Sequence, residues 1–388
     1  MRGIALALLL LPCLSAAFGT DVAKVYYLGD CLPSSSPIGY IGDDPAIDVI
    51  AVPATVSVGY FTESEAQRAL RLYLPRTYQE LAEGALILLS DVRADTLPTK
   101  WLNSFSQSVE QDGLGLMMIG GWLSFGGYSD SPSWDITSIG PILPVQLLDG
   151  QIKDAIWRPI VVSPEDPLMT TLPWESCPHF GGYNVVMPKE GAHLLARTND
   201  AVGNPFMALM TVGAGRSFAF CTDWTPGWGA AFMEWDFYAD FAVYSVYCAC
   251  GKEVPQDLAL VHTIRTEMIA YTSEKDALIS FIAFVEKVGA NVVRLEEMVQ
   301  DAETRRLEAD EHYMLQEYED CDLSLKDARI ALTAIEAETV KVKNRVFLWI
   351  WAIEWMAVTS TLMITGSLLW ALMMKRRLYR DVGTTRMI

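Results

Sequence analysis

Gly113-Leu-Gly-Leu-Met-Met-Ile-Gly-Gly-Trp-Leu-Ser-Phe-Gly-Gly127 is the stretch from which the fold can be read. Its centre, Leu116–Ile119, is a short continuous apolar run closed by a glycine pair, the pattern of a strand buried on both faces. Such strands belong to parallel sheets, whose connections are helices. The flanking chain fits: Val22–Leu28, Asp48–Val52, Ala85–Leu89 and Phe218–Thr222 read as further buried strands, and Glu63–Leu72 and Thr99–Asp112 as crossover helices. Residues 20–252 are therefore expected to form an α/β domain, a doubly wound and mostly parallel sheet.

Ligands of such sheets bind beyond the C-terminal strand ends, at the point where strand order reverses. The candidate ligand-binding residues at those ends are Asp30 after the first strand, Gly120, Gly121, Trp122 and Ser124 after the fourth, and Asp223 and Trp224 after the last. Ser90 and Asp91 close the third strand. Asp223 has two readings, contact with a ligand or a cap on the helical stretch that begins near Gly229. The helical stretch 230–247 reads as packing against the sheet.

The 113–127 segment, followed by Ile142-Leu-Pro-Val145, resembles the glutamine amidotransferase-like family of class I amidotransferase-fold proteins. Gly182-Tyr-Asn184, Pro188 with Gly191-Ala192, and Gly213-Ala-Gly-Arg-Ser-Phe-Ala-Phe-Cys-Thr-Asp223 extend the match, which covers roughly residues 22–250. The resemblance implies a flavodoxin-like sheet with the Gly120–Gly121 turn at the position of the nucleophile elbow. A working enzyme of this class needs a Cys on that turn and a His with an acidic partner to make it a thiolate. Gly120, Gly121 and Trp122 provide no thiol, and Ser124 is the nearest hydroxyl. Of four histidines, His312 and His262 lie after the domain, and His179 and His193 are away from any Asp-His or Glu-His strand-end pattern. The His that relatives are expected to carry before a Pro near Asp166-Pro167 is missing. Glutamine hydrolysis is therefore not expected. Cys221 lies inside an apolar run and reads as a buried structural thiol.

The ends of the chain point to a membrane. Arg2, the apolar run Ile4–Leu11 and the small residues Ser15, Ala16 and Ala17 are the three parts of a secretory signal, assigned to residues 1–19. Trp355–Met374 is twenty residues without a charge, long enough to cross a bilayer. Trp349, Trp351 and Trp355 stand at one edge and Trp370 near the other. The transmembrane helix is assigned to 346–374 and a cytoplasmic basic tail to 375–388, which carries five Lys/Arg and one Asp. The expected topology is single-pass, with the α/β domain extracytoplasmic and the C-terminus inside.

Between these parts, 253–345 reads as a helical coiled-coil stalk, since residues 257–345 hold no proline and a single glycine, Gly289. Leu278, Phe281, Val285, Val288, Val292, Leu295, Val299 and Ala302 alternate spacings of three and four, and the seam resumes at Leu325, Ala328, Leu332 and Ile335. Spacing leaves open one long helix or a hairpin turning near Cys321. Through this seam the expected partners are a second copy or another membrane protein. The net charge of −19 excludes nucleic acid. No cofactor or metal is expected; Cys248 and Cys250, two apart on a helix, face different sides. The leading expectation is an extracytoplasmic binding or assembly module on a catalytically degenerate amidotransferase-like fold. The alternatives are an enzyme acting on a small substrate through Asp223 and Asp30, and a structural component of the cell envelope.

Overall fold

The apolar runs pair as their burial requires. The computed structural model describes residues 22–54, 62–128 and 130–384, with side chains to 378; the assigned signal peptide lies outside them. β1 (Ala23–Gly29), β2 (Ile47–Pro53), β3 (Leu86–Ser90) and β4 (Gly115–Ile119) are parallel, with β1 between β2 and β3 and β4 next to β3. β3 and β4 are buried at every residue. Strands alternate faces, so Leu28, Ile87, Leu89, Leu116 and Met118 share one side. They pack there in one core with Leu102, Phe105 and Val109 of α4 (Thr99–Asp112) and Leu70 of α2 (Glu63–Tyr73). α2 starts at a capping box, Thr62 and Glu65 satisfying one another's backbone N–H groups.

The remaining strands are β5 (Val145–Trp157), β6 (Pro159–Val161), β7 (Phe180–Pro188), β8 (His193–Thr198), β9 (Pro205–Val212) and β10 (Gly215–Phe220). The eight-stranded sheet runs β2-β1-β3-β4-β10-β9-β8-β6, and β5 and β7 form a separate ribbon. β10 is parallel to β4 but antiparallel to β9, so the sheet is mixed. The expected strand Phe218–Thr222 is shifted: β10 starts at Gly215 because a hairpin through Gly213 (φ 57°) joins it to β9. Thr222 and Asp223 instead begin the turn beyond it.

Short helices α1 (Ile38–Gly42), α3 (Tyr78–Ala82) and α5 (Pro167–Thr171) cap loops. The stretch expected as one helix over 230–247 is two, α6 (Ala230–Met233) and α7 (Tyr238–Cys250). α7 packs on β10, β4 and β3, and Phe220 meets Phe241 at 5.0 Å across that face.

Beyond the sheet lie three helices, α8 (Leu258–Lys287), α9 (Val293–Met314) and α10 (Tyr318–Thr384). The expectation of one helix, or a hairpin turning near Cys321, is corrected. One turn is at Gly289 (φ 94°), where Asn291 accepts from the Val293 N–H at 3.2 Å. The other is at Gln316 (φ 62°), and Cys321 is already inside α10. The turn at Gly289 therefore interrupts the seam Leu278–Ala302. Seam residues Leu278, Val285, Leu295, Ala302, Leu325 and Leu332 are buried within the chain. Arg329 of α10 binds Glu274 and Glu267 of α8, and Lys275 of α8 binds Glu303 of α9 at 2.9 Å.

The chain divides into two compact units, one of residues 1–266 and 310–319, the other of 267–309 and 320–388. In the first, a buried ionic hub collects several elements. The Arg265 guanidinium donates to Asp240 at 2.9 Å, Asp44 at 3.1 Å and the Tyr313 hydroxyl at 2.9 Å. Tyr313 and Tyr247 donate to Asp44 at 2.8 and 2.7 Å, His262 Nδ1 lies 2.6 Å from Asp240, and the Tyr244 ring lies 4.6 Å from the guanidinium. Removing one partner of a buried ion pair leaves the other charge uncompensated. Arg265→Met is accordingly expected to cost about 3–5 kcal/mol in denaturant unfolding. A loss below about 1 kcal/mol would show that the hub is not holding these elements together.

Candidate functional site

The site starts where β4 ends. Gly120 N–H donates to Phe220 O at 2.8 Å, extending the β4–β10 ladder by one bond, and the chain then turns at Gly121 (φ 146°). Asn184 of β7, fully buried, brackets this turn. Its Oδ1 accepts from Gly121 N–H at 3.0 Å, while its Nδ2 donates to Gly121 O at 2.9 Å and Ser124 O at 3.4 Å. From the end of β3, Asp91 (φ 47°) accepts from the Leu123 N–H at 2.7 Å. These two side chains fill the space beside both glycines. A Cβ at Gly120 would lie 2.4 Å from Asn184 Oδ1, and one at Gly121 would lie 2.3 Å from Asp91 Oδ1. Real Cβ atoms do not approach so closely, and both obstacles are held by hydrogen bonds. The elbow lacks a thiol and also lacks the room for one.

Three carboxyls converge electrostatically around the turn. Burial pushes Asp91 up, and the neighbouring Asp223 charge adds to this against the pull of the Leu123 N–H, giving a pKa of about 8. Burial raises Asp223 to about 6, opposed by hydrogen bonds from Thr225. Asp30, half-buried after β1, is also raised by burial and is held by the Leu32 N–H at 3.3 Å. Asp223 is committed locally: its Oδ1 accepts from Thr225 N–H at 2.8 Å and from the Thr225 hydroxyl at 2.7 Å. Neither reading of Asp223 is met as stated: its contacts close the local turn at Thr225, and α6 starts after Gly229 without a side-chain cap.

The other candidates fall into two groups. Trp224 is fully buried, stacks on Tyr27 at 6.2 Å, and donates its indole N–H to the Ser90 hydroxyl at 3.0 Å. Gly120, Gly121 and Ser124 are likewise buried. Trp122 alone among the aromatic candidates reaches solvent, 44% exposed, with Tyr128 edge-on at 4.9 Å. Of the candidates, Asp30 and Trp122 are the ones that solvent reaches, and Gly120, Gly121, Ser124, Asp223 and Trp224 are buried.

Among the described residues neither thiols nor imidazoles assemble here. Burial holds Cys221 far above the usual thiol range and Cys31 at about 12. His262 belongs to the Arg265 hub, and His312 pairs with Glu317 at 2.8 Å. His193 does have an acidic partner, Asp166 at 3.5 Å, contrary to the sequence reading, but β8 is the third strand away from β4. The residue that sequence reasoning missed is Asn184. It stands in a motif of the resemblance, but its role depends on a contact between residues 63 positions apart.

The family model described as "Putative glutamine amidotransferase" matches residues 47–247. Among solved structures, a cytoplasmic protein of Salmonella typhimurium LT2 is 22% identical, with 58% of this chain and 99% of that one covered at a TM-score of 0.49. A second cytoplasmic protein of Salmonella typhimurium is 23% identical, covering 58% and 98% at a TM-score of 0.49. A cold-adapted β-galactosidase of Rahnella sp. R3 is 14% identical, covering 61% of this chain and 32% of that one at 0.36. A comparison with curated proteins returns no match.

The raised carboxyls dictate a pH dependence. Between the ordinary value of 3.8 and about 8, folded Asp91 keeps a proton that the unfolded chain has released. Its contribution to stability therefore falls as pH rises through that window, and the penalty is complete above it. Asp91→Asn keeps an acceptor for the Leu123 N–H and removes the titration. Thermal unfolding should show the variant gaining on wild type steadily from pH 4 to pH 8; a constant difference would refute the assignment. Gly121→Cys should destabilise the fold by about 1–3 kcal/mol and yield no glutamine hydrolysis in an ammonia-release assay.

Proposed function

From the premise that the chain belongs to the glutamine amidotransferase-like family, whose model spans residues 47–247, we propose a non-catalytic binding or assembly module held at a membrane. The carrying observation is the filled elbow. Where a class I amidotransferase presents its nucleophile, this chain presents two glycines whose Cβ positions are taken by Asn184 and Asp91. Two of the candidates stay within reach of solvent and offer recognition chemistry, a half-buried carboxyl at Asp30 and an exposed indole at Trp122. A small polar ligand or a partner's loop would meet these two, since Gly120, Gly121, Ser124, Asp223 and Trp224 are buried.

The anchor supports the same reading. Among the described residues one helix is long and apolar enough to cross a membrane. Its apolar side chains lie exposed, Trp349 and Trp370 each at 64%. Exposed apolar surface on this scale is costly in water and favourable in lipid. In this reading 346–374 crosses the bilayer, the 375–388 tail lies in the cytoplasm by the positive-inside rule, and the α/β domain (20–252) lies outside the cytoplasm.

One observation favours an enzyme instead: Asp91, with its pKa of about 8, can hold and donate a proton near neutrality beside Asp223 and Asp30. Such a carboxyl serves a general acid, although its contact with the Leu123 N–H also explains its place.

Membrane fractionation tests the anchor. The full chain should resist alkaline carbonate washing, and a chain ending at Arg345 should not be retained. Release of the full chain would defeat the proposal. Co-purification from mild detergent, repeated with Trp122→Ala, tests the site, since a ligand or partner held there should be lost with the indole.

A further inference from the structure

α10 carries two seams, and the chain itself uses one. Cys321, Leu325, Ala328, Leu332, Ile335 and Thr339 alternate spacings of four and three and are buried. On the opposite side of the helix, Leu323, Ile330, Ala337 and Asn344 recur every seven residues. Thr333, Val340 and Phe347 follow the last three of these by three, completing an a/d pattern. This second face is open: Ile330 is 67% exposed, Leu323 62% and Phe347 44%. Along its flank a groove of about 500 Å³ lies between α8 and α10, with Leu278 and Phe281 on one wall and Ile330, Thr333 and Glu336 on the other.

We propose that this outer face binds a second copy of the same chain, the two α10 helices running parallel. The parallel sense rests on the membrane-anchoring reading. α10 continues unbroken through the apolar segment to Thr384, so copies anchored in one bilayer share an orientation and bring the same residues to the same height. Charge then selects this occupant. In a parallel pair a g residue faces the e residue of the partner's next heptad, which sets Glu336 opposite Lys341 of the second copy, twice by symmetry. Lys341 is 70% exposed and its contact with Glu338, at 3.1 Å, is a surface one, so it is free to exchange partners. Arg329 meets Ala334; Asp322 against Asp327 is unfavourable, as is Lys326 at the d position of the same first heptad, so the pairing face begins at Ile330. Asn344 at an a position adds a paired amide that fixes register. The inference departs from the seam read in the sequence, which is consumed within the chain.

The test uses the full chain in detergent micelles and in membranes. Under mild oxidation Ile330→Cys should cross-link as a dimer well above wild type, and Glu338→Cys, on the helix flank, should not. Glu336→Lys and Lys341→Glu should each raise the dimer dissociation constant about tenfold, because two contacts reverse sign together; the double reversal should restore it. Equal cross-linking at both positions, or a double variant no better than the singles, overturns the proposal. Carbonate washing of the same variants separates the two readings. A chain that washes off membranes yet cross-links through I330C defeats the anchor alone, and one that stays without cross-linking defeats the dimer alone.

Discussion

Asn184 occupies the space beside Gly120, and its amide supplies both the donor and the acceptor that the turn at Gly121 lacks. A buried backbone group without a partner costs about 1–3 kcal/mol, so a turn leaving a fully buried strand must find partners from another element. Here they come from β7, which is itself held to the end of β10 by Asn184 N–H donating to Cys221 O at 2.9 Å. Asn204 continues the arrangement, donating to Asn184 O and accepting from the Val186 N–H. The turn, the ribbon and the antiparallel half of the sheet are thus joined through amides. The arrangement that stabilises the elbow is also what closes it to a catalytic side chain.

The buried carboxyls of the site follow from the same geometry. Strand ends of a parallel sheet lie side by side, so polar residues after them bring like charges near one another, and burial keeps water from Asp91 and Asp223. Asp91 and Asp223 respond by holding protons at pH values where free carboxyls are ionised. In the Arg265 hub two buried acids instead meet a guanidinium and three hydroxyl- or imidazole-bearing rings. One group of buried acids is balanced by a cation and the other by protons.

Much of the fold was legible because burial leaves a local signature. β1 to β4, α2 and α4 were readable from apolar runs and three-to-four spacing, since each strand end and cap depends on residues a few positions apart. The strands from 145 to 212 were not, because edge and antiparallel strands are half exposed and their runs are broken by polar residues. The helical region was legible as helix but not as three helices. Gly289 and Gln316 take left-handed backbone conformations that heptad spacing does not register.

At the site, the sequence by itself determined that no thiol stands on the Gly120–Gly121 turn, because the absence of a residue type needs no coordinates. It also determined the apolar length of the C-terminal segment. Only the tertiary structure decided that the turn has no room for a side chain, that Trp224 and Asp223 face inward while Trp122 and Asp30 face out, and that the stalk seam is spent within the chain. Each of these depends on contacts between residues distant in sequence. Packing sets such contacts by exclusion of volume and by pairing of buried polar groups, and neither leaves a mark in local spacing.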